Sequence, residues 1–274
     1  MSDIAFLPER GVIAVDGADR VAFLQGLVSN DVAAASPGHA VWAALLTPQG
    51  KWLADFFILS DGDRLLLDCE RDQIAMLLTR LSRYRLRMRV SLRGEPALMV
   101  FVGWHGRPEA HGIVAPDPRL PDFAWRVLSG RPVAVTALAE DWDRYRLGAG
   151  LPDGSRDMEA DRSVLLEAGF DELGGVSWSK GCYMGQELTA RTKYRGLVKR
   201  RLVPVAIEGP LPPFGSPVLR DGTEVGTMRS GRDGIGLASL RLDAIGTQLQ
   251  CGGSMLVASV PEWMRLADKA RTLA

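Results

Sequence analysis

Apolar positions change their spacing several times along the chain, and each change marks an element. Residues 11–16 read as a strand, and from there Val21, Leu24, Leu27 and Val28 recur at helical spacing, with Asp16 or Asp19 placed as the cap. Residues 40–46 and 52–59 are apolar runs of strand length joined by the turn signal Pro48-Gln49-Gly50, and residues 64–69 form a third strand. Ile74, Leu77, Leu78 and Leu81 then return to the 3.6-residue period of an amphipathic helix. Residues 86–92 and 97–103 predict another strand pair, and 105–121, rich in Pro and Gly, predict a loop. Residues 140–147 predict a helix stopped by Gly148 and Gly150, and 180–195 a loop running into a helix over 187–193.

Beyond Lys199 the pattern shortens. Residues 202–207, 216–219, 224–230, 235–240 and 255–259 are short strands split by Pro and Gly, as in a small β-barrel or sandwich. A boundary near residue 200 follows. Strands and helices alternate elsewhere without a βαβ rhythm, so the pattern predicts an α+β fold rather than a doubly wound one.

The length of 274 residues adds room for about two domains, or three small ones. An apolar content of 46% suffices for a core and excludes a disordered chain. The 33 basic and 33 acidic residues cancel, which argues against coating of nucleic acid or membrane by bulk charge. The zero is a sum of blocks, however. Residues 80–93 hold six Arg and no acid, 191–201 hold four Arg and two Lys, and 140–172 hold ten acids against four Arg. In a strand, Arg83, Arg85, Arg87 and Arg89 would share one face, either solvated or meant for a polyanion. The two basic blocks are expected at the entrance of a ligand-binding hole, partly neutralised by the acidic block.

The first eleven residues contain no apolar signal region, and the longest apolar stretch, 97–104, falls short of the ~20 residues of a membrane helix. A soluble, cytoplasmic protein without membrane contact is expected. Cys69, Cys182 and Cys251 lie far apart without CxxC, and His39, His105 and His111 form no HExxH, so neither a disulfide framework nor a metal site is expected.

One segment concentrates chemistry: Lys180-Gly181-Cys182-Tyr183-Met184-Gly185-Gln186-Glu187. Its glycines permit backbone at positive φ, and a following helix N-terminus, with Lys180 and Arg191 nearby, would favour a thiolate at Cys182. Cys182 reads equally as a small buried residue in a tight loop.

These eight residues resemble the KGCYxGQE signature of the YgfZ family, folate-binding proteins related in fold to the glycine cleavage T-protein. The resemblance extends to Gly17-Ala18-Asp19, Phe23-Leu24-Gln25-Gly26, Asn30-Asp31-Val32 and Leu46-Thr47-Pro48-Gln49-Gly50-Lys51. It continues through Trp142, Leu147–Pro152 (Leu-Gly-Ala-Gly-Leu-Pro) and Tyr194 to Arg200. It implies a three-domain aminomethyltransferase-like cloverleaf around a central hole, divided as 1–48 with 122–198, 49–121, and a barrel at 199–274. It implies tetrahydrofolate in that hole and a role in iron–sulfur cluster assembly or repair. Partners would be iron–sulfur client proteins or the assembly machinery, tRNA-modifying enzymes among them, with no direct binding of nucleic acid.

The resemblance makes Cys182 the reactive residue, with Lys180 lowering its pKa or holding folate carboxylates. Trp142 would lie against the folate, and Asp55 would meet its nitrogens. T-proteins carry paired acids there, whereas this chain has Ala54-Asp55. Tyr183 would stack on ligand or pack, Gln186 and Glu187 would orient the loop, and Arg191 would contact ligand or pair with Glu187. A non-catalytic assembly factor is expected; the alternative is an aminomethyltransferase-like one-carbon transferase.

Overall fold

The computed structural model describes residues 2–266 and resolves them into two compact units. The first takes the chain up to Trp142 and adds Leu173–Gln186; the second takes Asp143–Glu172 and the chain from Glu187 onward.

The first unit opens with β1 (Asp3–Phe6), β2 (Arg10–Asp16) and helix α1 (Arg20–Gln25). β3 (Val41–Leu46), β4 (Trp52–Asp61) and β5 (Arg64–Glu70) follow as antiparallel neighbours, then α2 (Ile74–Tyr84). β6 (Ser91–Gly94), β7 (Met99–Trp104), β8 (Ile113–Pro116) and β9 (Ala124–Ser129) complete it. Five strands make one sheet, in the order β3-β4-β5-β2-β6, and four make another, β1-β7-β9-β8.

Alternation along the strands explains the packing. Ile13, Val15, Ala54, Phe56, Ile58, Leu65 and Leu67 point to one face, where Phe23 and Leu24 of α1 and Leu77 and Leu81 of α2 close an apolar core. The positions between them carry Asp55, Phe57 and Asp68. On that side Arg10 and Arg126 of β9 both grip the fully buried Asp68, and Arg119 pairs with Asp117 at 2.7 Å. The guanidinium carbons of Arg10, Arg119 and Arg126 lie 5.5, 4.9 and 4.5 Å from the centre of the Phe57 ring. The two sheets therefore meet through a buried ionic layer wrapped around one aromatic ring. Burial pushes Asp117 up, but Arg119 and Arg126 outweigh it and hold its carboxyl below the ordinary value.

The second unit takes α3 (Ala139–Ala149) from Asp143 and α4 (Gln186–Tyr194) from Glu187 onward, ahead of a six-stranded barrel. Its strands are β10 (Arg200–Glu208), β11 (Pro217–Arg220), β12 (Thr223–Arg232), β13 (Ile235–Arg241), β14 (Gln248–Cys251) and β15 (Ser254–Ala258). They close in the order β10-β13-β12-β11-β14-β15. Buried Arg146 of α3 holds the unit together by donating to Asp143, Asp157, the Leu151 carbonyl and Ser230 of β12. The acidic block does neutralise part of its basic neighbour: Asp171 pairs with Lys193 and Glu172 with Arg201, at 2.9 and 2.8 Å.

Several expectations need correction. The helix expected through Val28 ends at Gln25; Asp19 does stand at its N-cap, but its carboxylate accepts the Arg89 N–H at 2.8 Å rather than a helix N–H, and Asp16 pairs with Arg93. The strand pair expected over 86–92 and 97–103 does not exist, because β6 joins β2 whereas β7 joins β1 and β9. The alternating arginines occupy no strand either. α2 runs on to Tyr84, and Leu86 turns at φ +43°. The loop expected at 105–121 contains β8. The boundaries expected at 48/49 and 121/122 fall between strands that pair with each other, β3 with β4 and β8 with β9. Residues 267–274 of the expected third domain lie outside the described residues.

Candidate functional site

Two chain segments that are distant in sequence meet around the loop at 180–186, which is also closed by a local contact. Lys180 reaches across to the first of them, donating from Nζ to the carbonyls of Val28 at 2.7 Å and Asn30 at 2.6 Å. The Met184 N–H donates to the Gly26 carbonyl at 3.1 Å, and the Ser177 N–H to that of Ser29 at 3.1 Å. Ser29 answers with its hydroxyl, which donates to the Gly175 carbonyl, while the Asn30 amide donates to Gly174 and Trp42. Gln25 and Asp31 brace this segment by a hydrogen bond of 2.8 Å. The second segment is the Thr47–Lys51 turn. Gly185, at φ +80°, lies so close that a Cβ there would stand 2.5 Å from the Thr47 carbonyl oxygen. The third contact is local: the Gln186 side chain accepts the Tyr183 N–H, and the Gln186 N–H donates to the Tyr183 carbonyl, closing the loop onto the start of α4.

Cys182 stands at the exposed crest of this braced loop, beside Gly181, whose backbone at φ +96° faces open space. Cys69 and Cys251 are buried, and burial pushes the Cys69 thiol up to about 12. Lys180 spends its ammonium on two carbonyls and lies 5.3 Å from the centre of the Tyr183 ring. The first helical residue, Gln186, comes four positions after Cys182.

Burial lowers Lys180 from the ordinary 10.5 to about 8, against a smaller opposing pull from Asp31. Folded Lys180 thus loses its proton before an unfolded lysine does. Between those values the unfolded chain binds more protons, so this residue's contribution to stability rises with pH through the window. The urea midpoint of the native protein minus that of Lys180→Met should climb from pH 8 to 10.5; parallel curves would refute the assignment.

Tyr183 is buried and packs rather than offering an open stacking face. Asp55 is 5% exposed, and its two oxygens accept the indole N–H groups of Trp42 at 2.9 Å and Trp52 at 3.1 Å. Trp42 in turn receives Asn30, which links Asp55 to the loop's support. Trp142 is likewise 5% exposed, with ring centres of Trp104 and Phe123 at 5.8 and 6.2 Å. Glu187 and Arg191 are both exposed and make no ion pair with each other. The support roles of Ser29, Asn30 and Thr47 carry no local signal, because the groups that meet them at 174–185 lie more than 120 residues away in sequence. Among the described residues no group of His, Cys, Asp and Glu is placed to hold a metal ion, and no helix is long and apolar enough to cross a membrane.

Comparison with known proteins extends this picture. Residues 199–266 match the family description "CAF17, C-terminal beta-barrel domain". The solved structure of glycine cleavage system aminomethyltransferase T from Bartonella henselae covers 96% of this chain and 86% of its own, with a TM-score of 0.72 at 14% identity. The fold is therefore α+β and aminomethyltransferase-like, with a C-terminal barrel. The human iron-sulfur cluster assembly factor IBA57 is 33% identical over 96% of this chain and 85% of its own length. The chain belongs to the IBA57 family. The mouse IBA57 factor agrees, at 32% identity over 96% of this chain and 86% of that protein. Both IBA57 proteins are named as mitochondrial, which overturns the expectation of a cytoplasmic location. The lack of an apolar signal region and the short apolar runs, on which that expectation stood, do not separate cytosol from mitochondrion.

Proposed function

We propose that this chain is an accessory factor of iron–sulfur cluster assembly that offers Cys182 to a cluster or its sulfur while a partner supplies the remaining ligands. The observation that carries the reading is the braced loop: one exposed thiol on a rigid support, with both other cysteines buried. A single cysteine cannot hold a cluster alone, since clusters commonly take four ligands. The names of the human and mouse relatives support the reading, as does the resemblance of residues 180–187 to the YgfZ signature. Partners are iron–sulfur client proteins or assembly components, tRNA-modifying enzymes among the clients.

Tetrahydrofolate is the ligand that an aminomethyltransferase-like fold suggests. Asp55 and Trp142, expected to meet it, fit that role poorly within their unit. Each is almost wholly buried, with indoles on the carboxylate and aromatic rings beside the tryptophan. No step is therefore assigned to folate. One-carbon transfer needs an acid free to meet folate nitrogens, and the oxygens of Asp55 are already engaged.

Replacing Cys182 with alanine, in cells lacking the native copy, should lower the activities of [4Fe–4S] enzymes and tRNA thiolation to the level of the empty strain. The protein should still fold, because the side chain is exposed. Full activity of the variant would reject the reading.

A further inference from the structure

The end of α2 presents an unusual surface. Arg80, Arg83, Arg85 and Arg87 crowd into eight residues without an acid. Among the described residues none of the four has an ion pair, although their neighbours Arg89 and Arg93 are paired with Asp19 and Asp16. Two large apolar side chains stand among them. Tyr84 is 42% exposed and Leu86 is 87% exposed, the latter at φ +43°, a backbone conformation that a leucine adopts only at a cost. A narrow groove adjoins them, lined by Arg80, Arg83 and Tyr84 on α2 and by Leu46, Pro48 and Met184. Met184 belongs to the Cys182 loop, so the surface is continuous with the candidate site.

This chemistry selects its partner. Guanidiniums bind carboxylates through paired hydrogen bonds, and Tyr and Arg dominate the energetics of protein interfaces. The Leu46, Pro48 and Met184 side of the groove and an exposed leucine add nothing to a phosphate backbone but suit a peptide side chain. We propose that Arg80, Arg83, Arg85 and Arg87 dock an acidic segment of a partner protein, which sets an apolar side chain into the groove beside Met184. The inference deepens the assembly reading and rests on it for the partner's role: a partner held here lies next to the loop that bears Cys182.

The test places a benzophenone amino acid at position 86 of the full chain in cells lacking the native copy, and maps the crosslinked product by mass spectrometry. A crosslink to a protein segment rich in Asp and Glu is expected. Charge reversal of the four arginines to glutamate should reduce it at least tenfold, whereas Cys182→Ala should leave it intact. A fluorescent peptide, Glu-Asp-Leu-Glu-Glu-Phe-Asp, should bind the purified protein at least tenfold more tightly than its Gln/Asn analogue. A crosslink to RNA, lipid, a second copy or an uncharged segment overturns the proposal. So does no crosslink, one indifferent to charge reversal, or equal binding of the two peptides. If Cys182→Ala retains enzyme activity while the acidic crosslink persists, the cysteine reading falls and the docking surface stands. All four arginines reach solvent, so an unchanged thermal midpoint separates lost docking from lost folding.

Discussion

Asp68→Ala should cost about 3–5 kcal/mol of folding free energy, the range for a buried ion pair that loses one partner. The carboxylate is fully buried and is the shared acceptor of Arg10 and Arg126. Without it two guanidiniums remain beside the same Phe57 ring, and Arg126, 2% exposed, cannot turn to water. Asp68→Asn keeps an acceptor but not the charge and should fall between. Urea unfolding followed by tryptophan fluorescence reads the change, since Trp42 and Trp52 lie in the same sheet. If the alanine variant is insoluble, the combination Arg10→Met, Asp68→Leu, Arg126→Met provides the control. It removes the three charges of this cluster together and should recover a large part of the loss. A cost below about 1 kcal/mol for Asp68→Ala would show that the ionic layer is dispensable.

The second large effect concerns function. Gly185→Ala should disable the loop, and Gly181→Ala should not. Both substitutions carry the left-handed penalty of roughly 1–2 kcal/mol. At Gly181 a Cβ meets nothing within 4 Å. At Gly185 it would lie 2.5 Å from the Thr47 oxygen, 2.9 Å from the Leu46 Cβ and 3.0 Å from the Gly50 Cα, mostly backbone that has no rotamer to escape through. The loop must then leave the 46–50 turn, and Met184 must loosen its bond to Gly26. Iron–sulfur enzyme activities should drop to the level of Cys182→Ala, and alkylation of Cys182 should lose the native rate. Equal behaviour of the two glycine variants would remove the turn from the account.

Local periodicity made much of this architecture legible. β2 to β5, α2, α3 and most of the barrel announce themselves because alternation and helical spacing are written within ten residues. What escaped depends on distant partners. β9 was not expected, since Arg126 interrupts its apolar run; only Asp68, 58 residues away, makes that arginine a core residue. β1, β8 and β14 have four residues each, too few to display a period. The arginines at 83–89 imitate a strand because they alternate with other residues, although α2 already claims Arg83. The loop at 180–187 was legible as a contiguous motif, and so were its flanking segments. Their roles were not, because Lys180 grips carbonyls, and a carbonyl is the same in every residue.

The chain order of the two units has a consequence for synthesis. The first unit needs Leu173–Gln186, which emerges from the ribosome only after Asp143–Glu172. A nascent chain stopped at Trp142 exposes Ser29, Asn30 and the carbonyls at 26, 28, 29 and 30 without the groups that later satisfy them. The segment bearing Cys182 therefore acts as a late clasp, and the first unit is completed only after part of the second has already been made.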